Sequence, residues 1–310
     1  THNAFPVPIE LGAFFGALQP LAVGGGGFGL QPRFDGAVLG IRHAEIGHQV
    51  LDHRHMGQGV NLDVATDVVD GLDAAQGIGA AIARLFYAHH YKVGIYDINS
   101  AQAEQLAASL GPNAKAGQLD VSNYQDWQTA LAEFVPWAGE LNVLVNNAGI
   151  LFSGPFEHTE ISAHHKTISI NVNGVLNGCH AALPYLKQAN FARIINLSSA
   201  SAIYGQADLV SYSASKFAVR GITEGLDTEW QKYGIRVLDV MPLFVQTAMV
   251  QDMQAKSIQN MGIHLTAEDV AHHVFQRAVA KDTALTATHQ AVGAKPKLLF
   301  NLSKISPPLL

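Results

Sequence analysis

A doubly wound α/β domain built on a parallel sheet is the fold class this sequence predicts, and two observations predict it. Beyond about residue 72 the apolar residues alternate between helical and strand spacing. Ile78, Ile82, Leu85 and Phe86 recur at helical intervals, KVGIYD (92–97) is a short apolar run, and Ala103, Leu106, Ala107 and Leu110 return to helical intervals. Such alternation marks βαβ units, whose crossovers make neighbouring strands parallel. The second observation is the character of the later strand candidates, LNVLVNN (141–147), RIINLS (193–198) and IRVLDVM (235–241). Each is short and rich in Val, Ile or Leu, as a strand covered on both faces must be. No internal repeat is visible.

Composition limits the partners. The 310 residues are 48% hydrophobic and only 14% charged, with a formal net charge of -6. A charged fraction well under the usual ~25% argues against disorder, and no basic stripe is present for nucleic acid. The single cysteine, Cys179, cannot form an intramolecular disulfide or a multi-thiolate metal site, so a cytoplasmic location is expected. Leu11 to Pro32 lacks charged side chains, but seven glycines, Pro20 and two glutamines interrupt it and no basic cluster precedes it. Neither a membrane span nor a secretory signal is expected there.

Residues 1–72 contain no lysine, three arginines, five of the 15 histidines and 13 of the 29 glycines, which sets them apart from the remainder. The expected organisation is an irregular or poorly ordered segment over 1–60, followed by a catalytic domain over 61–310. Gly24, Gly26 and Gly29 satisfy G-x-G-x-x-G, yet Pro32 and Gly36 deny the following residues a helix, so nothing there presents a phosphate with free N–H groups. His48, His53 and His55 lack a matching thiol or carboxylate pattern, and no metal site is expected. The first strand is the weak element. NLDVATDVVDGLD is interrupted by Asp63, Asp67, Asp70 and Asp73, and a central parallel strand cannot absorb carboxylates cheaply. It is expected to be atypical or impaired.

A second glycine cluster is better placed. AAQGIGAAIARLF puts Gly77 and Gly79 at the mouth of an amphipathic helix, where backbone can approach a pyrophosphate. Asp97 ends KVGIYD 20 residues after Gly77, the spacing at which a carboxylate reaches an adenosine ribose. The bland alternative for Asp97 is a turn carboxylate at a strand end. Farther on, Tyr212 and Lys216 stand four apart in YSASK and share one helix face. A nearby ammonium favours the phenolate and lowers a phenol's pKa from its usual ~10. Ser199, 13 residues upstream at the end of RIINLSS, could polarise a substrate oxygen while the tyrosine exchanges its proton. As an isolated spacing, a Tyr/Lys pair equally describes an exposed helix face.

Taken together, AAQGIG, NNAG (146–149), INVNG with Asn171, SSASA and YSASK resemble the short-chain dehydrogenase/reductase family, from about Ala74 to the neighbourhood of Pro296. The resemblance implies a Rossmann-like fold and hydride transfer between a nicotinamide and an alcohol or ketone. It implies that Asn171 holds a helix distortion and a relay water, Ser199 binds the substrate oxygen, Tyr212 is the acid–base, and Lys216 binds the nicotinamide ribose while tuning Tyr212. It further implies cofactor contacts from Gly77, Ile78, Gly79, Asn147, Ala148 and Gly149, from Asp120 and Val121 at the adenine, and from Pro242 and Thr247 at the carboxamide. Asp97, with Gln76 rather than a basic residue before Gly77, favours NAD over NADP, because a carboxylate repels a 2′-phosphate.

Two positions depart from the family pattern: Leu72-Asp73 stand where Thr-Gly is usual, and Leu243 follows Pro242 where glycine is usual. A carboxylate at Asp73 should repel pyrophosphate, so the rival reading is a cofactor-impaired binding or scaffold protein. Phe152, Phe156, Ile203, Tyr204, Phe244 and Met249 flank the motifs and suggest an apolar substrate. A homodimer or homotetramer is implied by the family's habit of pairing the helix after NNAG and the YSASK helix. Apolar Val172, Val175, Leu176, Ala181 and Leu183, with Phe217, Ile222 and Leu226, support it weakly.

Overall fold

The computed structural model describes residues 59–63, 77–246, 265–282 and 286–303. Within them the chain alternates strand and helix: β1 (Gly59–Asp63), α1 (Ile78–Ala88), β2 (Lys92–Asp97), α2 (Ser100–Leu110), β3 (Ala114–Gln118), α3 (Tyr124–Ala138) and β4 (Val143–Asn146). It continues with α4 (Ile161–Ile168), a π-helical turn (Ser169–Asn173), α5 (Gly174–Leu186), β5 (Ala192–Leu197), α6 (Val210–Trp230), β6 (Ile235–Met241), α7 (Ala267–Val279), β7 (His289–Ala291) and α8 (Ala294–Ser303). The strands form one sheet in the order β3-β2-β1-β4-β5-β6-β7, with every pairing among the described residues parallel. The order reverses between β1 and β4, the crevice at which doubly wound sheets bind ligands.

Alternation along the strands explains both layers. Val143, Val145, Ile195, Leu197, Leu238 and Val240 pack against α1, α2 and α7, while their neighbours Leu144, Ile194, Ile235 and Val237 pack against α3, α5 and α6. β4, β5 and β6 therefore bury both side-chain sets, which is why they read as continuous apolar runs. Three helices, α2, α3 and α7, open on polar caps. Asn99 accepts from the Gln102 N–H and Asn123 from the Gln125 N–H, and Thr266 with Asp269 forms a reciprocal capping box on α7. Such caps contribute about 1 kcal/mol each.

The atypical first strand occupies the centre of the sheet, but over Gly59–Asp63 rather than across the aspartate-rich run that follows. It begins two residues before residue 61, the expected start of the catalytic domain, and well inside the lysine-free stretch 1–72. Of the four aspartates, only Asp63 belongs to this strand, as its last residue; Asp67, Asp70 and Asp73 lie outside the described residues, as do Leu72, the glycine decoy, and His48, His53 and His55. The same holds for residues 1–58, on which most of the expectation for the N-terminal segment falls. No helix among the described residues is long and apolar enough to cross a membrane.

Polar groups are also built into the core. Asp239 on β6 is 0% exposed, and burial raises its pKa against the opposing hydrogen bond from His289 Nδ1 at 2.8 Å on β7. Burial pushes the Cys179 thiol up to about 12, which leaves it protonated at neutral pH. Asp227 on α6 shows the opposite balance. Burial pushes its carboxyl up, but hydrogen bonds from Arg236 Nε at 2.8 Å, the Val237 N–H at 3.0 Å and the Thr288 hydroxyl at 2.7 Å outweigh it, so the folded pKa lies below the ordinary value. A depressed carboxyl stabilises above its unfolded pKa of ~3.9, and that stabilisation disappears as pH falls through the folded value. Asp227→Asn should therefore reduce unfolding free energy at pH ~7 and flatten its loss as pH falls from ~7 to below ~3.9. Denaturant titrations at both ends of that window check this; equal pH slopes for the two proteins would contradict it.

Candidate active site

The residues singled out by sequence gather just past the carboxyl ends of parallel strands. Asp97 ends β2, Asp120 and Val121 follow β3, Asn147, Ala148 and Gly149 follow β4, Ser199 follows β5, and Pro242 follows β6. Gly77, Ile78 and Gly79 open α1, and Tyr212 and Lys216 lie in the first two turns of α6. Thr247 and Met249 fall outside the described residues.

Local chemistry fixes this arrangement. Asn171 is fully buried in the π-helical turn. Its Oδ1 accepts from the Ile150 N–H at 2.8 Å, and its Nδ2 donates to the Ile150 carbonyl at 2.9 Å and to Ser215 Oγ at 3.0 Å. Asn171 thus joins the segment after β4 to α6. Lys216 Nζ donates to the Leu197 carbonyl at 2.9 Å and lies 5.5 Å from the centre of the Tyr212 ring. Ser198 Oγ donates to the Lys216 carbonyl at 3.3 Å, which draws the end of β5 onto the same helix. The Ala200 N–H donates to the Pro242 carbonyl at 2.9 Å, tying the Ser199 turn to the end of β6.

A buried amide chain sets the register beneath the site. Asn146 Nδ2 donates to Asn196 Oδ1 at 2.8 Å, and Asn196 Nδ2 donates to Thr223 Oγ1 at 2.9 Å, linking β4, β5 and α6. Gly178 makes room for it: a Cβ there would stand 2.5 Å from Asn146 Oδ1 and 2.8 Å from the Trp127 ring.

Ser199 caps a 3₁₀ turn, Ala200–Ala202, by accepting from the Ser201 N–H at 3.1 Å. The Ser199 and Ser201 hydroxyls share a hydrogen bond at 3.2 Å, and Gln206 Nε2 donates to Ser201 Oγ at 2.8 Å. Sequence reasoning missed Ser201 and Gln206. SSASA carries the only local hint, while Gln206 sits in a connection without periodicity.

The mouth is apolar on one side. Phe152 and Phe156, in the segment after β4, are 40% and 53% exposed, and the Gly154 N–H donates to the Asp208 carbonyl at 2.9 Å, joining this segment to the approach to α6. The Phe156 ring stacks on His164, whose Nδ1 lies 2.6 Å from Ser211 Oγ, next to Tyr212. Ile203 packs instead into a small core cluster with Ala202, Met241, Ala291 and Phe300, and Tyr204 and Phe244 are half-buried.

The residues fit a nicotinamide dinucleotide. No side chain caps α1 at Gly77, no acidic residue occupies its first turn, and a Cβ at Gly77 would meet open space, so the first N–H groups suit a pyrophosphate. A Cβ at Gly149 would stand 3.5 Å from both Lys216 Nζ and Asn171 Oδ1, so the bare backbone keeps this approach clear. Asp97 Oδ1 accepts from the Asn99 N–H at 2.8 Å, which fixes the carboxylate at the strand end; this bond is also what a turn carboxylate makes.

A model of the short chain dehydrogenase family matches residues 71–258. The chain is 35% identical over 193 residues to a 3-beta-hydroxysteroid dehydrogenase of Comamonas testosteroni, covering 61% of this chain and 76% of that protein. It is 35% identical over 196 residues to a 3-alpha-(or 20-beta)-hydroxysteroid dehydrogenase of Mycobacterium bovis, covering 63% and 75%. The crystal structure of a 3-ketoacyl-(acyl-carrier-protein) reductase from Brucella melitensis complexed with NADH superposes with a TM-score of 0.67 at 26% identity, covering 76% of this chain and 96% of that one. With the sheet order, the glycine-opened helix and the Tyr212–Lys216 pair in place, this chain belongs to the short-chain dehydrogenase family, oxidoreductases that transfer a hydride between a nicotinamide cofactor and an alcohol or ketone.

Proposed function

We propose that this protein interconverts an apolar, alicyclic secondary alcohol and its ketone, using NAD(H), with residues from the first strand onward as its catalytic domain. The observation that carries this reading is the anchoring of Lys216 on α6 to Leu197 and Ser198 at the end of β5, immediately before Ser199, with its ammonium 5.5 Å from the centre of the Tyr212 ring. When bound, reduced nicotinamide supplies two electrons and a hydrogen to the carbonyl carbon. The Ser199 hydroxyl donates a hydrogen bond to the carbonyl oxygen, and the Tyr212 hydroxyl gives up its proton to that oxygen. Alcohol and phenolate result, and oxidation is the reverse. The Lys216 ammonium beside the ring stabilises the phenolate charge. Asn171 holds the π-helical turn against Ile150 and Ser215 and so keeps α6 in position. Gly77, Ile78 and Gly79 would hold the pyrophosphate, Asp97 the adenosine ribose, Asp120 and Val121 the adenine, and Asn147, Ala148, Gly149, Lys216 and Pro242 the nicotinamide half.

The exposed Phe152 and Phe156 support an apolar substrate, and the hydroxysteroid dehydrogenases among the relatives support an alicyclic one. Reduction rates with NADH for androstane-3,17-dione, cyclohexanone and dihydroxyacetone test this: the cyclic ketones should be the better substrates, and preference for dihydroxyacetone would reject it. Asp97 supports NADH over NADPH. Asp97→Ala should narrow the kcat/KM ratio between the two by about tenfold or more, because one like charge at the ribose is removed. A wild-type preference for NADPH would contradict the assignment.

A homodimer or homotetramer in the cytoplasm completes the reading. Leu176 and Phe217 are exposed on α5 and α6, whereas Val175 and Ala181 are spent on the core. A groove of about 400 Å³ runs between Tyr124, Leu176, His180, Leu226 and Trp230. Light scattering at micromolar concentration should give at least twice the chain mass; a monomer would refute this part.

A further inference from the structure

We propose that Gln206 and Ser201 are positioning residues that hold the Ser199 hydroxyl as a hydrogen-bond donor to the substrate oxygen, an inference that rests on the hydride-transfer reading above. A serine hydroxyl has one proton and two lone pairs, and its rotor turns to suit its neighbours. Ser199 assists ketone reduction only when its proton points at the carbonyl oxygen. Its Oγ already accepts from the Ser201 N–H at 3.1 Å and lies 3.2 Å from Ser201 Oγ. What remains to be decided is which of these two hydroxyls donates to the other.

Gln206 decides it. Its side chain is buried, and Nε2 lies 2.8 Å from Ser201 Oγ, while Oε1 is buried without a hydrogen-bond partner among the described residues. If the amide were turned, its two N–H bonds would take the unpartnered place, and a buried orphaned N–H group is rarer than an under-satisfied carbonyl. The amide therefore donates to Ser201. The Gln206 backbone N–H also donates to Ser213 Oγ at 3.2 Å, on the helix that carries Tyr212, which holds the loop in register. With one lone pair of Ser201 occupied by Nε2, the remaining partner for its proton is Ser199 Oγ. Ser199 then accepts from both the N–H and the O–H of Ser201, and its own proton is left for the substrate. Had Gln206 accepted, Ser201 would donate to it, and the Ser199 proton would be drawn away towards Ser201.

A glutamate at position 206 converts this polarity into a pH dependence. Protonated, the carboxyl can still donate to Ser201; ionised, it only accepts, and the chain reverses. Burial raises a carboxyl's pKa, so the change falls within a usable range. With NADH and androstane-3,17-dione, Gln206→Met should lower kcat about tenfold with little change in KM, as loss of a transition-state donor requires. Gln206→Glu should fall progressively further below wild type between about pH 5.5 and pH 8.5. That divergence should vanish when Ser201→Ala is added, because the relay is then cut.

A Gln206→Glu to wild-type ratio independent of pH, or a divergence that persists without the Ser201 hydroxyl, would overturn the proposal. Wild-type turnover by Ser199→Ala would instead reject the underlying role of Ser199. A neutron structure of the wild-type protein decides the point even without turnover. A deuteron on Ser201 Oγ directed at Ser199 supports the relay; one on Ser199 Oγ directed at Ser201 overturns it.

Discussion

Tyr212→Phe is expected to lower kcat for ketone reduction by about 10²–10⁴-fold, the range over which a positioned acid–base group contributes. The substitution removes one oxygen and keeps the ring, which is half-buried in the first turn of α6 with Lys216 Nζ 5.5 Å from its centre. The helix is held independently of the phenol: Lys216 bonds to the Leu197 carbonyl, Ser198 to the Lys216 carbonyl, and Asn171 to Ser215. Circular dichroism and NADH binding should therefore match wild type while turnover collapses. Loss of turnover together with loss of NADH binding would instead make Tyr212 a structural residue, and near-normal turnover would remove it from the proton path.

Arg193→Met should cause the largest loss of stability. Arg193 on β5 is 1% exposed, and its guanidinium donates to the Arg277 carbonyl, to the Ala280 carbonyl at 3.0 Å and to Asp282 Oδ2 at 2.7 Å. It also lies 4.9 Å from the Phe191 ring centre. One side chain thus satisfies the last carbonyls of α7 and fixes that helix, which packs on α1 through the shared core. Methionine fills much of the space but leaves these acceptors unmet. Asp282 keeps Arg236 at 3.2 Å, so it is not stranded. The expected cost is about 3 kcal/mol, at the low end for breaking a buried pair, or a fall in Tm of roughly 6–12 °C. Calorimetry showing a change under about 2 °C would mean that α7 is anchored by its apolar face alone.

Much of this architecture is legible in the sequence because central parallel strands, covered on both faces, are rich in apolar residues. KVGIYD, LNVLVNN and IRVLDVM contain the strands expected of them, and RIINLS shares five residues with its strand, ARIINL. The two edge strands were not foreseen. β3 (AKAGQ) carries lysine and glutamine, and β7 is only HQA, since an edge needs no continuous apolar run. The sequence points to a first strand within NLDVATDVVDGLD, whereas the observed strand, GVNLD, starts two residues earlier and stops at the first aspartate. Asp239 stands in the sequence as one residue of an apolar strand; its partner, His289, lies 50 residues away and has no local signature. The acid–base candidates were legible because helix and strand spacing place them. Ser201 and Gln206 were not, because their coupling depends on how a loop folds back over Ser199.

Deuteride transfer tests the central claim most directly. Wild-type protein is incubated with androstane-3,17-dione and nicotinamide-deuterated NADH carrying the label on both faces of C4, and the product is weighed by mass spectrometry. The account predicts a hydroxysteroid one mass unit heavier than that formed with unlabelled NADH, produced by wild type and essentially absent with Tyr212→Phe. A wild-type protein that gives no labelled alcohol while binding the steroid, or a Tyr212→Phe variant that labels it at the wild-type rate, would contradict it.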